Sequence, residues 1–166
     1  MMHHKDHKPH IGVCAVPLED GRSGIGVYII KILKHLSQRD DMCLTVFGFE
    51  SERALLELDR RVEFVRIPER CKGLAAGLLW HVGVLPLLAL KHRLDVLFLP
   101  AGNRRMSLRP PLAPYRLLAT VHDLAQFHLP QKYDRLRTAY VTKVLPAMWK
   151  KRSEERRVGK ECRSRW

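Results

Sequence analysis

A glycine-rich loop early in the chain has the composition of an anion-binding turn. Gly21, Gly24 and Gly26 stand just before a segment whose apolar residues have helical spacing. Glycines let backbone amides approach an anion without a side chain in the way, and a helix start carries a partial positive charge. The loop therefore predicts a phosphate-binding site around Gly24 and Gly26. The alternative interpretation is a loop that needs glycine only for a tight turn.

The same loop departs from the fingerprint of dinucleotide-binding proteins. That pattern is G-x-G-x-x-G placed close after the first strand, whereas here Ile29 stands where the third glycine belongs. Glu50, after the second apolar run, has the right chemistry for the acid that binds a ribose. An NAD site stays open as an alternative, weakly supported by the spacing.

The pair His122-Asp123 follows a strand-like apolar run at 117–121. A histidine at the end of a strand points into a cleft, where it can donate a hydrogen bond to a sugar hydroxyl or a phosphate. Asp123 is predicted to orient that histidine or to face the substrate. The alternative is a polar strand end that caps the next turn. A metal phosphohydrolase of the HD type is excluded, because its pair lies on a helix.

Alternating segments predict the elements that position these residues. Several predicted strands are continuously apolar, as expected when helices cover both faces of a sheet. The expected fold is α/β, with a Rossmann-like open parallel sheet whose ligands bind at the carboxyl ends of the strands. This edge gathers the glycine loop, the segment 101–105 with Asn103, and 122–124. Strands are predicted at 10–18, 42–49, 62–67, 95–99 and 115–122, and helices at 27–38, 51–61 (capped by Ser51), 73–90 and 133–151.

Composition limits the classes of function. The 166 residues carry 30 basic and 17 acidic side chains, a net charge of +13, which suggests an anionic partner. Nucleic acid is not the predicted partner, because the basic residues are scattered and only 7% of residues are aromatic. The cysteines are too far apart for a zinc ribbon or a dense disulfide framework and favour a reduced, cytoplasmic compartment; they are Cys14, Cys43, Cys71 and Cys162.

The segment 73–90 contains no charged residue and is flanked by basic ones. It is just long enough to raise the possibility of a membrane span, but His81, Pro86 and three glycines argue against one. The sequence predicts a buried or interfacial helix. Its basic flanks predict peripheral contact with an anionic membrane, at the inner face.

Both ends of the chain are set apart from the fold. Residues 1–9 are predicted to be disordered. The histidines within MMHHKDHKPH are interpreted as part of this disordered start rather than as a metal cluster. The last fifteen residues, RSEERRVGKECRSRW, resemble the in-frame translation of a common sequencing adapter. We therefore expect 152–166 to be an artefactual tail, and the natural gene to continue past Lys151.

Three stretches, in this order and spacing, resemble the N-terminal domain of glycosyltransferase family 4, retaining enzymes with two Rossmann-like domains (the GT-B fold). They are SGIGVY at 23–28, DVLFLP at 95–100, and TVHDL at 120–124 followed by Pro130 and Tyr133. The resemblance covers 10–151, predicted to be one acceptor-side domain. Phe98 departs from it, since the family often has histidine there.

The resemblance implies that the acceptor and the donor bind to different domains. The N-terminal domain holds the acceptor, its glycine loop (Gly24 and Gly26) approaches the donor diphosphate, and His122 contacts the transferred sugar. A second domain grips the nucleotide-sugar through two glutamates eight residues apart, and no glutamate of this chain has that spacing. The chain is therefore expected to be an inactive fragment of a glycosyltransferase that needs no metal or cofactor. A stand-alone nucleotide-binding module and a small membrane-associated protein are the alternatives.

Overall fold

The computed structural model describes residues 8–102 and 104–122. The predicted helix at 133–151, the tail at 152–166 and the predicted roles of Asn103 and Asp123 lie outside these residues. So do His3, His4 and His7 of the N-terminal histidine group, while His10 begins the first strand.

Five parallel strands form a single sheet in the described part of the chain. The strands are β1 His10–Cys14, β2 Cys43–Phe49, β3 Glu63–Ile67, β4 Val96–Leu99 and β5 Arg116–Ala119. Their order in the sheet is β3-β2-β1-β4-β5, and every neighbouring pair is parallel. Strands β1, β2 and β4 carry fully buried side chains such as Val13, Val46 and Leu97. The predicted Rossmann-like α/β fold is confirmed.

Helix α1 (Gly24–Ser37) packs one apolar side against this sheet. Ile29 and Leu33, four residues apart, are fully buried in the same cluster as Val13 and Val46. Burial of such an aliphatic side chain contributes about 1.5–3 kcal/mol. The helix starts three residues earlier than predicted, because Ser23 caps it and both glycines belong to its first turn.

Two predicted elements differ from the structure, one in its end and one in its type of helix. The first strand ends at Cys14, and the chain then forms a 3-10 turn, Val16–Gly21, rather than continuing to Leu18. The predicted helix at 51–61 is a 3-10 segment, Glu50–Leu56, closed by Glu57 in the left-handed region with φ 44°. Ser51 does not cap it by its side chain; its hydroxyl donates to Glu69 and accepts from Lys72.

The apolar segment before β4 is helical, as predicted, but is not one uniform helix. After the 3-10 turn Glu69–Lys72, helix α2 (Leu74–Leu79) leads into a π turn, Trp80–Val84, and then into helix α3 (Leu85–Lys91). No helix among the described residues is long and apolar enough to cross a membrane.

Candidate functional site

The first turn of α1 lies at the carboxyl edge of the sheet, where ligands bind in folds of this kind. The hydroxyl of Ser23 accepts a hydrogen bond from the Gly26 amide at 3.0 Å. The Val27 amide bonds to the Ser23 carbonyl at 2.9 Å. The first amides of a helix have no acceptor within the helix, so those of Gly24 and Ile25 are the ones available for an anion.

The two candidate glycines have different roles. A side chain at Gly26 would place its Cβ 2.3 Å from the backbone oxygen of Leu18, so this position needs glycine for close packing. At Gly24 a Cβ would meet no atom of the described residues within 4 Å. Gly24 is therefore the residue whose surroundings leave room for a ligand, whereas the tight-turn interpretation fits Gly26.

A turn with left-handed backbone conformation lies just before the start of α1. Glu19, Asp20 and Gly21 all have positive φ, at 51°, 54° and 71°. For non-glycine residues this conformation costs about 1–3 kcal/mol each unless surrounding contacts hold it. Two contacts do so here: Arg104 forms an ion pair with Glu19, and the buried carboxylate of Glu52 accepts from the Asp20 amide at 3.4 Å. Burial raises the pKa of Glu52.

His122 lies three residues beyond the end of β5 and is exposed at the same edge. Its Nε2 is 2.7 Å from the Pro100 carbonyl oxygen, which accepts only, so Nε2 carries the hydrogen. In the tautomer that carries its only hydrogen on Nε2, the ring offers Nδ1 as an acceptor. In that tautomer the ring donates to the protein and can accept from a ligand hydroxyl, while donation by His122 to a ligand stays a prediction.

Tyr28 joins His122 to helix α1. The two rings meet edge to face with centroids 4.8 Å apart. The Tyr28 hydroxyl lies 3.3 Å from the hydroxyl of Thr120, which follows β5. Since Tyr28 stands one turn after Gly24 on α1, the structure brings the glycine turn and His122 to one edge, as the sequence predicted. Glu50, the candidate ribose-binding acid, instead forms an exposed ion pair with Arg53 at 3.4 Å.

Sequence reasoning missed a buried pair at the carboxyl end of β1. His81 in the π turn lies 3.4 Å from the Cys14 sulfur through Nε2, and its Nδ1 donates to the Gly77 carbonyl at 2.6 Å. Burial raises the pKa of the Cys14 thiol to about 12. Burial, aided by the charge of Arg105, lowers the pKa of His81 to about 4. Both groups are therefore neutral at pH 7, so Cys14 is not an activated nucleophile. The one available signal was a histidine inside an uncharged stretch.

Arg105 ties the loop after β4 to the start of the helical segment. Its guanidinium donates to the backbone oxygens of Cys71 at 3.5 Å and Lys72 at 3.3 Å. A Cβ at Gly77 would lie 2.7 Å from the Cys71 backbone oxygen as well as against the guanidinium, so the position favours glycine. Arg105 therefore positions backbone rather than standing ready for a ligand.

Comparisons with protein-family models, curated proteins and solved structures found no match to this chain. Over residues 8–102 and 104–122, no group of three histidine, cysteine or acidic side chains is arranged to hold a metal ion.

Proposed function

We propose that this chain is the acceptor-side half of a retaining glycosyltransferase that uses a nucleotide-sugar donor. The observation that carries the proposal is the arrangement around His122. Its Nε2 is held by Pro100 at 2.7 Å and its ring by Tyr28, the residue one turn along α1 from Gly24. The histidine proposed to contact the sugar and the helix start proposed to bind the diphosphate thus lie at one edge of the sheet. The resemblance of 23–28, 95–100 and 120–124 to family 4 supports the same proposal.

In this proposal each group has a defined part in transfer. The open amides of Gly24 and Ile25, with the positive end of α1, stabilise the negative charge on the departing diphosphate. Donors preorganised for a developing charge are worth about 10²–10³ in rate per group. His122 accepts a hydrogen bond from a hydroxyl of the transferred sugar through Nδ1, and so orients that sugar. In the enzymes that the chain resembles, the nucleotide is held by a second domain.

The first test is the source DNA across codon 151. The proposal expects the frame to continue into a second α/β domain with two glutamates spaced by eight residues. The complete protein is then assayed by the release of nucleoside diphosphate from nucleotide-sugars. A frame that ends after RSEERRVGKECRSRW, or a complete protein without donor turnover, contradicts the proposal.

The role of His122 has a matched control in the same chain. His35 is an exposed histidine at the far end of α1, where Nδ1 lies 2.7 Å from the Lys31 carbonyl. In the complete enzyme, His122→Ala is expected to lower kcat by about 100-fold, while His35→Ala leaves kcat unchanged. Equal activity of the two variants would remove His122 from the site.

The second candidate function is a stand-alone nucleotide-binding module, favoured by the space at Gly24 alone. It predicts that the 166-residue chain binds a nucleoside diphosphate tightly without any second domain. Isothermal titration with UDP, GDP and ADP separates the two functions. Micromolar binding supports the module, and millimolar or weaker binding supports the transferase half.

A further inference from the structure

The helical segment before β4 exposes five aliphatic side chains within twelve residues, which we call the apolar stripe. Leu79 is 74% exposed and Leu87 is 64% exposed. Large apolar side chains exposed side by side mark interaction sites more often than isolated ones do. The members of the apolar stripe are Leu79, Val82, Val84, Leu87 and Leu90.

The π turn keeps the buried residues of the segment on one side. The Leu85 amide donates to the carbonyl of Trp80, five positions back, because a π turn accommodates one more residue than an α turn. This side of the segment packs in the core, where Trp80, Leu85 and Ala89 are buried. The apolar stripe is therefore not the core-facing side of the segment; it is a second apolar face.

Positive charge borders the apolar stripe. Arg70 precedes the segment, and Lys91 and Arg93 follow it; all three are exposed and none forms an ion pair with another described residue. No acidic residue occurs between Glu69 and Asp95. An apolar face with exposed basic groups at both ends is complementary to an anionic, partly apolar surface.

We infer that the apolar stripe lies on the surface of an anionic lipid bilayer, with its leucines among the acyl chains and its basic ends at the headgroups. Since no described helix can cross a membrane, the segment would lie in the interfacial plane. A second copy of the chain fits less well. Two-fold pairing along the stripe, in either orientation, brings basic ends together. This inference is independent of the proposed transferase function.

The test is cosedimentation of the 166-residue chain with vesicles. The probes are vesicles of phosphatidylcholine alone and of phosphatidylcholine mixed with an equal part of phosphatidylglycerol. The wild-type chain is expected to bind the mixed vesicles, and to bind them more weakly at high salt. The double variant Leu79→Ser/Leu87→Ser is expected to bind at least about tenfold more weakly, because each leucine gives up its burial in lipid.

A matched control makes the same change elsewhere. Leu55 and Leu112 are also exposed, at 40% and 96%, and lie outside the segment. Leu55→Ser/Leu112→Ser is expected to bind like the wild type. Wild-type affinity in the Leu79/Leu87 variant, equal losses in both variants, or no binding by the wild type would overturn the inference.

A second pair of variants tests the basic ends without touching the apolar residues. Lys91→Gln/Arg93→Gln is expected to lose roughly fivefold in affinity for each charge removed at low salt. The control Lys31→Gln/Arg60→Gln removes two exposed charges outside the segment and is expected to lose much less. Equal losses would assign the binding to net charge and overturn the inference. So would sedimentation showing a dimer that Leu79→Ser/Leu87→Ser dissociates, which assigns the stripe to a second copy.

Discussion

The amino and carboxyl ends of the strands differ in how their polar groups are hydrogen-bonded. At the amino ends of the strands, a chain of hydrogen bonds runs from His10 through the buried Thr45 to Glu63, at 2.7 and 2.9 Å, and His92 reaches the same carboxylate at 3.1 Å. At the carboxyl ends, the exposed His122 and the first turn of α1 lie together, and a side chain at Gly24 would meet no described residue. Paired groups stabilise the sheet, whereas unpaired and positioned groups are what a binding site requires.

At the carboxyl end of β1, the buried Cys14–His81 pair predicts the largest effect, which is on the pH dependence of stability. The folded state holds His81 with a pKa of about 4, against 6.5 for an ordinary histidine. Between pH 6.5 and 4, His81 therefore binds a proton in the unfolded chain but not in the folded chain. As a result, the free energy of unfolding falls as the pH drops from 6.5 to 4. The expected contribution is about 3 kcal/mol.

Urea unfolding of the wild type and of His81→Gln at several pH values measures this contribution. The wild-type curve should fall more steeply between pH 6.5 and 4 than that of the variant, in which the remaining acid-sensitive groups are unchanged. Parallel curves would mean that His81 is protonated in the fold, so that the carboxyl edge has a charged rather than a neutral base.

A matched pair of glycines at the carboxyl edge gives the next largest effect. Gly26→Ala forces a Cβ against the Leu18 carbonyl and is expected to cost about 2 kcal/mol. Gly24→Ala has open space and is expected to leave stability equal or slightly higher. Thermal unfolding of both variants checks this. Equal losses of stability in the two variants would show that Gly24 is packed like Gly26, and would contradict its assignment as the glycine with room for a ligand.

At the amino ends, Thr45→Val removes the hydroxyl that links His10 to Glu63. The expected loss is about 1–2 kcal/mol of unfolding free energy, because Thr45 is fully buried and its two partners lose a shared bond. Ligand binding at the other edge should not change. Denaturant unfolding measures the loss of stability, and nucleotide titration measures ligand binding. A change in binding without a loss of stability would contradict the structural role assigned to the amino ends.

The smallest effect is expected from Tyr28→Phe. The change deletes the 3.3 Å bond to Thr120 but keeps the ring against His122. Stability should fall by only about 0.5 kcal/mol. Hydrogen exchange of the residues around Thr120 should nevertheless become faster, because the link between α1 and the end of β5 is weakened. Unchanged exchange would show that ring packing alone holds that link.

The amino acid sequence alone determined the broad plan of the molecule. Apolar runs and helical spacing are local properties, so they located all five strands, the parallel α/β class and the edge that gathers Gly24 and His122. The turn chemistry was harder to predict. Ser51 has a capping side chain, yet it bonds to Glu69 and Lys72, residues far along the chain that no local pattern brings near.

Tertiary structure decided which of these residues are free to act. Gly24 and Gly26 are identical in sequence terms, and only the position of the Leu18 carbonyl distinguishes the packed glycine from the open one. Cys14 and His81 are 67 residues apart and become partners because the sheet and the π turn bring them into one buried space. Contacts between distant segments depend on how elements pack, which residue spacing along the chain does not encode.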